Sequence, residues 1–219
     1  MKIALTVGHS KLKNGNITSA NGFINEYEYN KDLAPLIVKY LKQLGHDVDL
    51  IICPENKFVK STEESKYKLN IVNNGKYDLI VELHLNASDA STANGIEILY
   101  ISDDGKAYAE RIQVKLSTLF HSRGINLRNN LYMLTKTEPV AIVLETFFCT
   151  NESDCNIGKD KDKVARLVAE GIANKNIPEE VKEIKRIYKV QVGAYEDQKN
   201  AIAVKTRLIS LGYKDVNIV

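Results

Sequence analysis

The sequence predicts an α/β fold, a mainly parallel twisted sheet flanked by helices on both faces, followed by a small C-terminal βαβ-like unit. Three observations point to it. Apolar runs of strand length recur along the chain, helix-length amphipathic segments separate most of them, and the runs are continuous rather than alternating. A strand that is apolar at successive positions is buried on both sides, the condition of a parallel sheet covered by crossover helices. With 219 residues and 44% hydrophobic content, the chain has enough material for one such core and an appendage.

The strand runs lie at 3–7, 48–52, 79–83, 96–101 and 140–144. After the first comes 10–25, rich in Asn, Ser, Gly and Lys and without periodicity, a long loop of the kind that often carries function. Leu33, Ile37, Tyr40, Leu41 and Leu44 then fall on one helical face, with Gly45 placed to stop the helix. Pro35 either kinks this helix or marks the first turn of its regular part, because it removes a backbone donor and biases Ala34 away from helix. Segments 61–74, 105–121 and 159–174 also carry helical periodicity, with Ile112, Leu116, Leu119 and Phe120 the stripe of the second. Polar and charged residues around Pro178 set the domain boundary: a main domain over 1–176, a linker over 177–186 and a tail over 187–219. Within the tail, 187–192 reads as a strand, 196–211 as a helix and 213–219 as a second strand. A tail of about 33 residues is too short to bury a core alone.

Composition narrows the function. Lys and Arg number 30 against 28 Asp and Glu, a formal charge of +2, so a nucleic-acid partner is not expected. Cys53, Cys149 and Cys155 cannot close a disulfide framework, match no zinc-finger spacing and read as reduced thiols. No apolar run reaches the roughly 18 residues of a membrane span, and Met1–Lys2 lead straight into a strand, so synthesis in the cytoplasm without a signal peptide is the expectation.

Chemistry gathers at strand ends. His9 in VGHS (7–10), His84 in VELHLNA (81–87) and Glu145 in VLETFF (143–148) each follow or end an apolar run. In a parallel sheet those carboxyl ends share one edge, outside which ligands bind. A fourth group is expected near the start of the helix after the long loop, where Glu26, Glu28 and Asp32 compete. Glu26 lies seven residues before Leu33 and four before Asn30, over the buried stripe, whereas Glu28 is rotated off it. Two imidazoles and one carboxylate supply three ligands to zinc and leave a fourth position open, as hydrolysis requires. Glu145, free of the ion, fits the proton carrier.

Neighbouring residues have weaker readings. Glu82 shares a strand face with His84 and is either its orienting partner or, the favoured reading, a structurally paired carboxylate. Glu97 either orients a ligand or substrate or forms an ion pair at the sheet edge, and Asn86 either binds substrate or forms a turn. His46 reads as a surface residue in a turn and His121 as the end of a helix, favoured there by the dipole. A thiolate from Cys149 or Cys155 paired with His84 is an alternative nucleophile, but cysteine in a stretch such as FFCT is usually inert packing.

In order and context these residues resemble the zinc-dependent N-acetylmuramoyl-L-alanine amidases of the Amidase_3 family, which includes bacterial autolysins and phage endolysins. The matching positions are Gly8 and His9 on the first strand, Glu26 and Asn30 on the helix, and His84, Asn86 and Ala87 on the third run. Gly95 and Glu97 follow, then Glu145 with Phe148 and Asn151. The resemblance implies a peptidoglycan hydrolase that cuts between N-acetylmuramic acid and L-alanine. It implies Zn2+ held by His9, Glu26 and His84, and Glu145 as general acid and base. YKVQVGAYEDQKNA (188–201) with LGY (211–213) resembles one half of a SPOR domain, a peptidoglycan-binding module; the expectation is either a homodimer in which a second copy completes the module or a tail that belonged to a longer product. Action on the cell wall after holin-type release or lysis is the matching expectation.

Overall fold

In the computed structural model residues 1–178 and 190–218 are described, in two compact units, Met1–Pro178 and Glu179–Val219. The linker expected at 177–186 lies outside the described residues from 179 onward.

The first unit holds one six-stranded sheet. Its strands are β1 (Lys2–Val7), β2 (Asp47–Ile51), β3 (Leu79–Asn86), β4 (Ile96–Tyr100), β5 (Ser122–Leu127) and β6 (Val140–Phe148), in the spatial order β2-β1-β3-β6-β4-β5. Neighbours run parallel except β4 and β6, which are antiparallel. Successive side chains point to opposite faces, and both faces are covered. Ile3, Leu5, Val81, Leu83, Ile142 and Leu144 join one core cluster, while Ala4, Ile80, Ala141 and Val143 join the other. That division explains why the strand runs are apolar at nearly every position.

On the first face lie α1 (Glu26–Gln43), α3 (Asp103–Leu116) and α6 (Lys161–Ala173), with α6 packed against both of the others. On the second lie α2 (Ser61–Asn74) and the short α4 (Tyr132–Thr135), which contribute Val72, Met133 and Leu134. Asn25 caps α1 by accepting from the Glu28 N–H, and the helix runs through Pro35, which sits on its exposed side. The helical phase is therefore continuous, and Glu26, Asn30, Leu33 and Ile37 are buried together.

Four local elements differ from expectation. β5 and the helices α4 and α5 (Glu152–Gly158) carry no strong periodic signal; β5 is a half-exposed edge strand whose apolar content is low. The helix expected over 105–121 starts at Asp103, capped by the Ser102 hydroxyl, and ends at Leu116. His121 is consequently not a helix terminus: it is exposed in the chain entering β5, where its carbonyl accepts the Ile96 N–H, and the dipole argument does not apply to it.

The end of β6 is shaped by a bulge. His84 pairs with Glu145 but Asn86 pairs with Phe148, so the β6 strand has one extra residue just past Glu145. Asp154, buried at the start of α5, fixes this corner by accepting from the N–H groups of Phe148 (3.0 Å) and Gly95 (2.8 Å).

In the second unit the described residues form one helix, α7 (Gln198–Ser210), capped by Asp197, and none of its side chains is buried. Residues 190–192 and 213–218 carry no strand; 187–189 and Val219 lie outside the described residues. A strand needs a partner backbone, and the described residues of this unit offer none. Among the described residues no helix is long and apolar enough to cross a membrane.

Candidate metal centre

Strand order builds the site. β1, β3 and β6 are adjacent and parallel, so the chain leaves all three at one edge, carrying His9, His84 and Glu145. Beyond Val7 the chain turns at once. Gly8 donates its N–H to the Leu83 carbonyl (3.0 Å), and His9 adopts φ 64, a left-handed conformation that costs a non-glycine residue about 1–3 kcal/mol. Gly8 lies against the ring of His84, leaving no room for a side chain.

The structure brings His9, Glu26 and His84 together. One ligand atom from each lies within 4.8 Å of the others. Glu26 Oε1 is 2.8 Å from His84 Nδ1 and 3.3 Å from His9 Nε2, and the two rings meet edge to face with centroids 4.9 Å apart. Backbone N–H groups of Leu85 (3.1 Å) and Ala20 (3.0 Å) also donate to the Glu26 carboxylate, so both its oxygens are fixed. Burial works to raise its pKa, but hydrogen bonds from His84 and His9 outweigh it and hold the carboxyl well below the usual carboxylate range. His84 moves the other way: burial lowers it, and hydrogen bonds to Glu26 and Glu82 overcome that to raise it to about 10. Any cation entering here therefore displaces a proton. Glu28, the competing carboxylate, points outward and pairs with Lys31.

Glu82 lies between Lys68 and His84. Its Oε1 accepts from the buried Lys68 ammonium, and its Oε2 lies 3.5 Å from His84 Nε2. Burial would raise it, yet Lys68 and His84 hold it down at about 2. Lys68 on α2 was not singled out by the sequence, because a lysine amid a polar helix gives no sign that it is buried.

Glu145 stands beside this group without joining it. Its cross-strand partners are His84 on β3 and Glu97 on β4, and its Oε2 is buried with no hydrogen-bond partner among the described residues. Burial, reinforced by Glu26, Glu97 and Glu82 and opposed by His84, pushes the carboxyl up to about 7. A carboxylic acid poised there can both take and give a proton at neutrality. Glu97 reaches this edge because β4 runs antiparallel. It accepts from Asn86 (3.3 Å) and Asn126 (2.8 Å) and lies 3.6 Å from Arg128. Asn86 also shapes its turn, its Oδ1 accepting the Ala87 N–H.

A cavity of about 310 Å³ opens over these groups, walled by His9, Glu82, His84 and Glu145 below, by Ser61, Thr62 and Ser65 of α2, and by Tyr132 of α4. Two imidazole nitrogens and a carboxylate oxygen form a donor set suited to zinc, and a buried acid with a free oxygen adjoins it. The cysteines offer no rival nucleophile: all are free and buried, and burial pushes the thiols of Cys149 and Cys155 up to about 11.

Comparisons with known proteins identify the family. The profile of the family described as N-acetylmuramoyl-L-alanine amidase, Amidase_3, matches residues 3–174. The catalytic domain of the CD27L endolysin targeting Clostridia Difficile shares 49% identity, covering 81% of this chain and 99% of that domain with a TM-score of 0.79. N-acetylmuramoyl-L-alanine amidase LytC of Bacillus subtilis is 29% identical over 77% of this chain and 34% of its own length. The probable autolysin PH of Staphylococcus aureus is 29% identical over 80% of this chain and 39% of its own length. The chain spans about half the length, or less, of the curated relatives it matches.

Proposed function

Because this chain belongs to the Amidase_3 family, the N-acetylmuramoyl-L-alanine amidases, we propose that it is a zinc-dependent peptidoglycan hydrolase cutting the amide between N-acetylmuramic acid and the L-alanine of the stem peptide. The observation that carries this reading is the convergence of His9, Glu26 and His84 within 4.8 Å beside a buried, unpartnered carboxylate oxygen of Glu145.

His9 Nε2, Glu26 Oε1 and His84 Nδ1 would hold the ion. Bound zinc supplies Lewis acidity, polarising the scissile carbonyl and easing ionisation of water near neutral pH. Glu145 takes the proton of the attacking water and returns it to the departing amine of L-alanine, a double duty that a carboxyl near 7 can perform. Glu26 keeps its charge because two histidines and two backbone N–H groups hold it, so the site retains an anionic ligand when Glu145 is protonated. Glu97, held by Asn86 and Asn126, stands opposite Glu145 and contributes to its raised pKa. The hydroxyls of Ser61, Thr62 and Ser65 and the ring of Tyr132 give the cavity wall the mixed polar and aromatic surface that suits a sugar–peptide substrate.

Mass spectrometry of peptidoglycan digested by metal-analysed protein tests the reading. The expected products are a free lactyl carboxylate on the muramoyl sugar and a new L-alanine amino terminus, lost on chelation and restored by zinc. Cleavage between amino acids would instead indicate another zinc peptidase, release of acetate a deacetylase, and binding without cleavage a wall-binding protein.

For the tail, the proposed role is wall binding by half a SPOR-like module that a second copy completes. Its support is the helix α7, on which Ile202 and Ile209 are exposed, and the exposed Leu211 that follows it. Light scattering is expected to find a dimer; a monomer at micromolar concentration overturns the pairing.

A further inference from the structure

Helix α2 carries a Glu and a Lys, Glu64 and Lys68, one turn apart on the same face, and each is only 4% exposed. Burying two charges is costly unless each has committed partners. Their partners lead to the two histidines.

Glu64 Oε1 accepts from the Ser10 hydroxyl (2.6 Å), and the Glu64 carboxylate accepts from the Thr18 hydroxyl at 3.0 and 3.1 Å. A hydroxyl has one proton, and Thr18 gives it to this nearest charged acceptor. Towards His9 Nδ1, 3.4 Å away, Thr18 Oγ1 can then only accept. Nδ1 of His9 therefore carries the hydrogen, and Nε2, the nitrogen facing Glu26, is the one free to ligate. Lys68 Nζ donates to the Val7 carbonyl (3.2 Å) and to Glu82 Oε1, and Glu82 Oε2 faces His84 Nε2 at 3.5 Å. His84 is thereby set the opposite way: Nε2 carries the hydrogen and Nδ1 faces Glu26.

We propose that α2 is the orienting helix of the metal centre, with Glu64 acting through Thr18 and Lys68 acting through Glu82 to fix the tautomer and direction of His9 and His84. These four are positioning residues. The proposal rests on His9, Glu26 and His84 being the ligands. Carboxylates that hold the second nitrogen of a ligating imidazole stiffen the ring and raise its basicity. One helix thus serves both rings, although they leave different strands, and the same helix forms a wall of the cavity.

Lys68→Met strands Glu82 without its cation and is at risk of not folding, so the test uses Thr18 on the loop. Zinc dissociation constants are measured by chelator competition on the full chain for the wild type, Thr18→Val, Thr18→Ser, His84→Ala and Val72→Ala, each with its melting temperature. Thr18→Val is expected to bind zinc about 10–100-fold more weakly. Thr18→Ser is expected to match the wild type. Val72→Ala, which opens a cavity in the second core without touching Thr18, Glu64, Lys68 or Glu82, lowers stability alone and is expected to melt earlier with zinc affinity unchanged. Nitrogen NMR of the zinc-loaded protein should find the hydrogen on Nδ1 of His9 and on Nε2 of His84. Wild-type zinc affinity in Thr18→Val, equal weakening in Val72→Ala, or both rings protonated at the same nitrogen each overturns the role of α2. A wild type without zinc, or His84→Ala binding as tightly as the wild type, instead defeats the ligand assignment and this proposal with it.

Discussion

Glu145→Gln is expected to lower kcat on peptidoglycan by about 10²–10⁴-fold, the share of a general acid and base, while zinc uptake stays at the wild-type level. The amide keeps the shape of the side chain but can neither accept the water's proton nor carry it to the leaving amine. The pH profile adds a second signature. Burial pushes Glu145 up to about 7, so the wild-type kcat/KM should fall on the acid side at or somewhat below that value, since a cation in the adjoining site favours the ionised form. In Glu145→Gln that limb should vanish from the residual activity.

Stability moves in the opposite direction from activity. A carboxyl whose folded pKa exceeds its unfolded value of 4.5 favours the folded state fully below pH 4.5 and loses that contribution as pH rises through about 7. The metal-free variant should therefore melt higher than the metal-free wild type at pH 8 and nearly the same at pH 4. Calorimetry at the two pH values reads this. Wild-type turnover in the variant, or a wild-type acid limb, removes Glu145 from the mechanism.

Gly8→Ala is expected to abolish zinc binding and lysis together, to the level of His84→Ala, although position 8 offers no ligand. A Cβ at Gly8 would lie 2.3 Å from Cε1, 2.6 Å from Nε2 and 2.7 Å from Nδ1 of His84, closer than non-bonded atoms tolerate. The ring cannot retreat without giving up Glu26 on one side and Glu82 on the other. Either His84 leaves the centre or β1 and β3 spread, at an overpacking cost of roughly 1–3 kcal/mol. Gly15→Ala provides the contrast: its Cβ meets nothing within 4 Å, but φ is +88, so about 1 kcal/mol of stability should be lost with zinc binding intact. Zinc affinity and melting temperature measured on both variants separate the two causes. Wild-type zinc affinity in Gly8→Ala would show that the contact with His84 does not hold the centre together.

Much of this site is legible without coordinates. A strand buried on both faces leaves a continuous apolar run, and a polar residue at the end of such a run, like His9 or Glu145, stands out against it. Helical phase separates Glu26 from Glu28 because a 3.6-residue period places only one of them over the stripe of Leu33 and Ile37. Other parts are silent. β5 has a half-exposed pattern with little contrast between its faces, and Leu119 and Phe120 extend an apparent helical stripe although they pack from outside the helix. Thr18, Glu64 and Lys68 look like ordinary surface residues in their local segments.

What the sequence determined by itself was which chemical groups stand at the ends of buried strands and on which face of α1 a carboxylate lies, since periodicity and burial are properties of short segments. The tertiary structure alone decided that β6 lies beside β3, that β4 runs antiparallel and brings Glu97 opposite Glu145, and that α2 delivers Glu64 and Lys68 to two histidines on separate strands. Those contacts join residues tens of positions apart. Their existence depends on how every element packs at once, and no single segment records that.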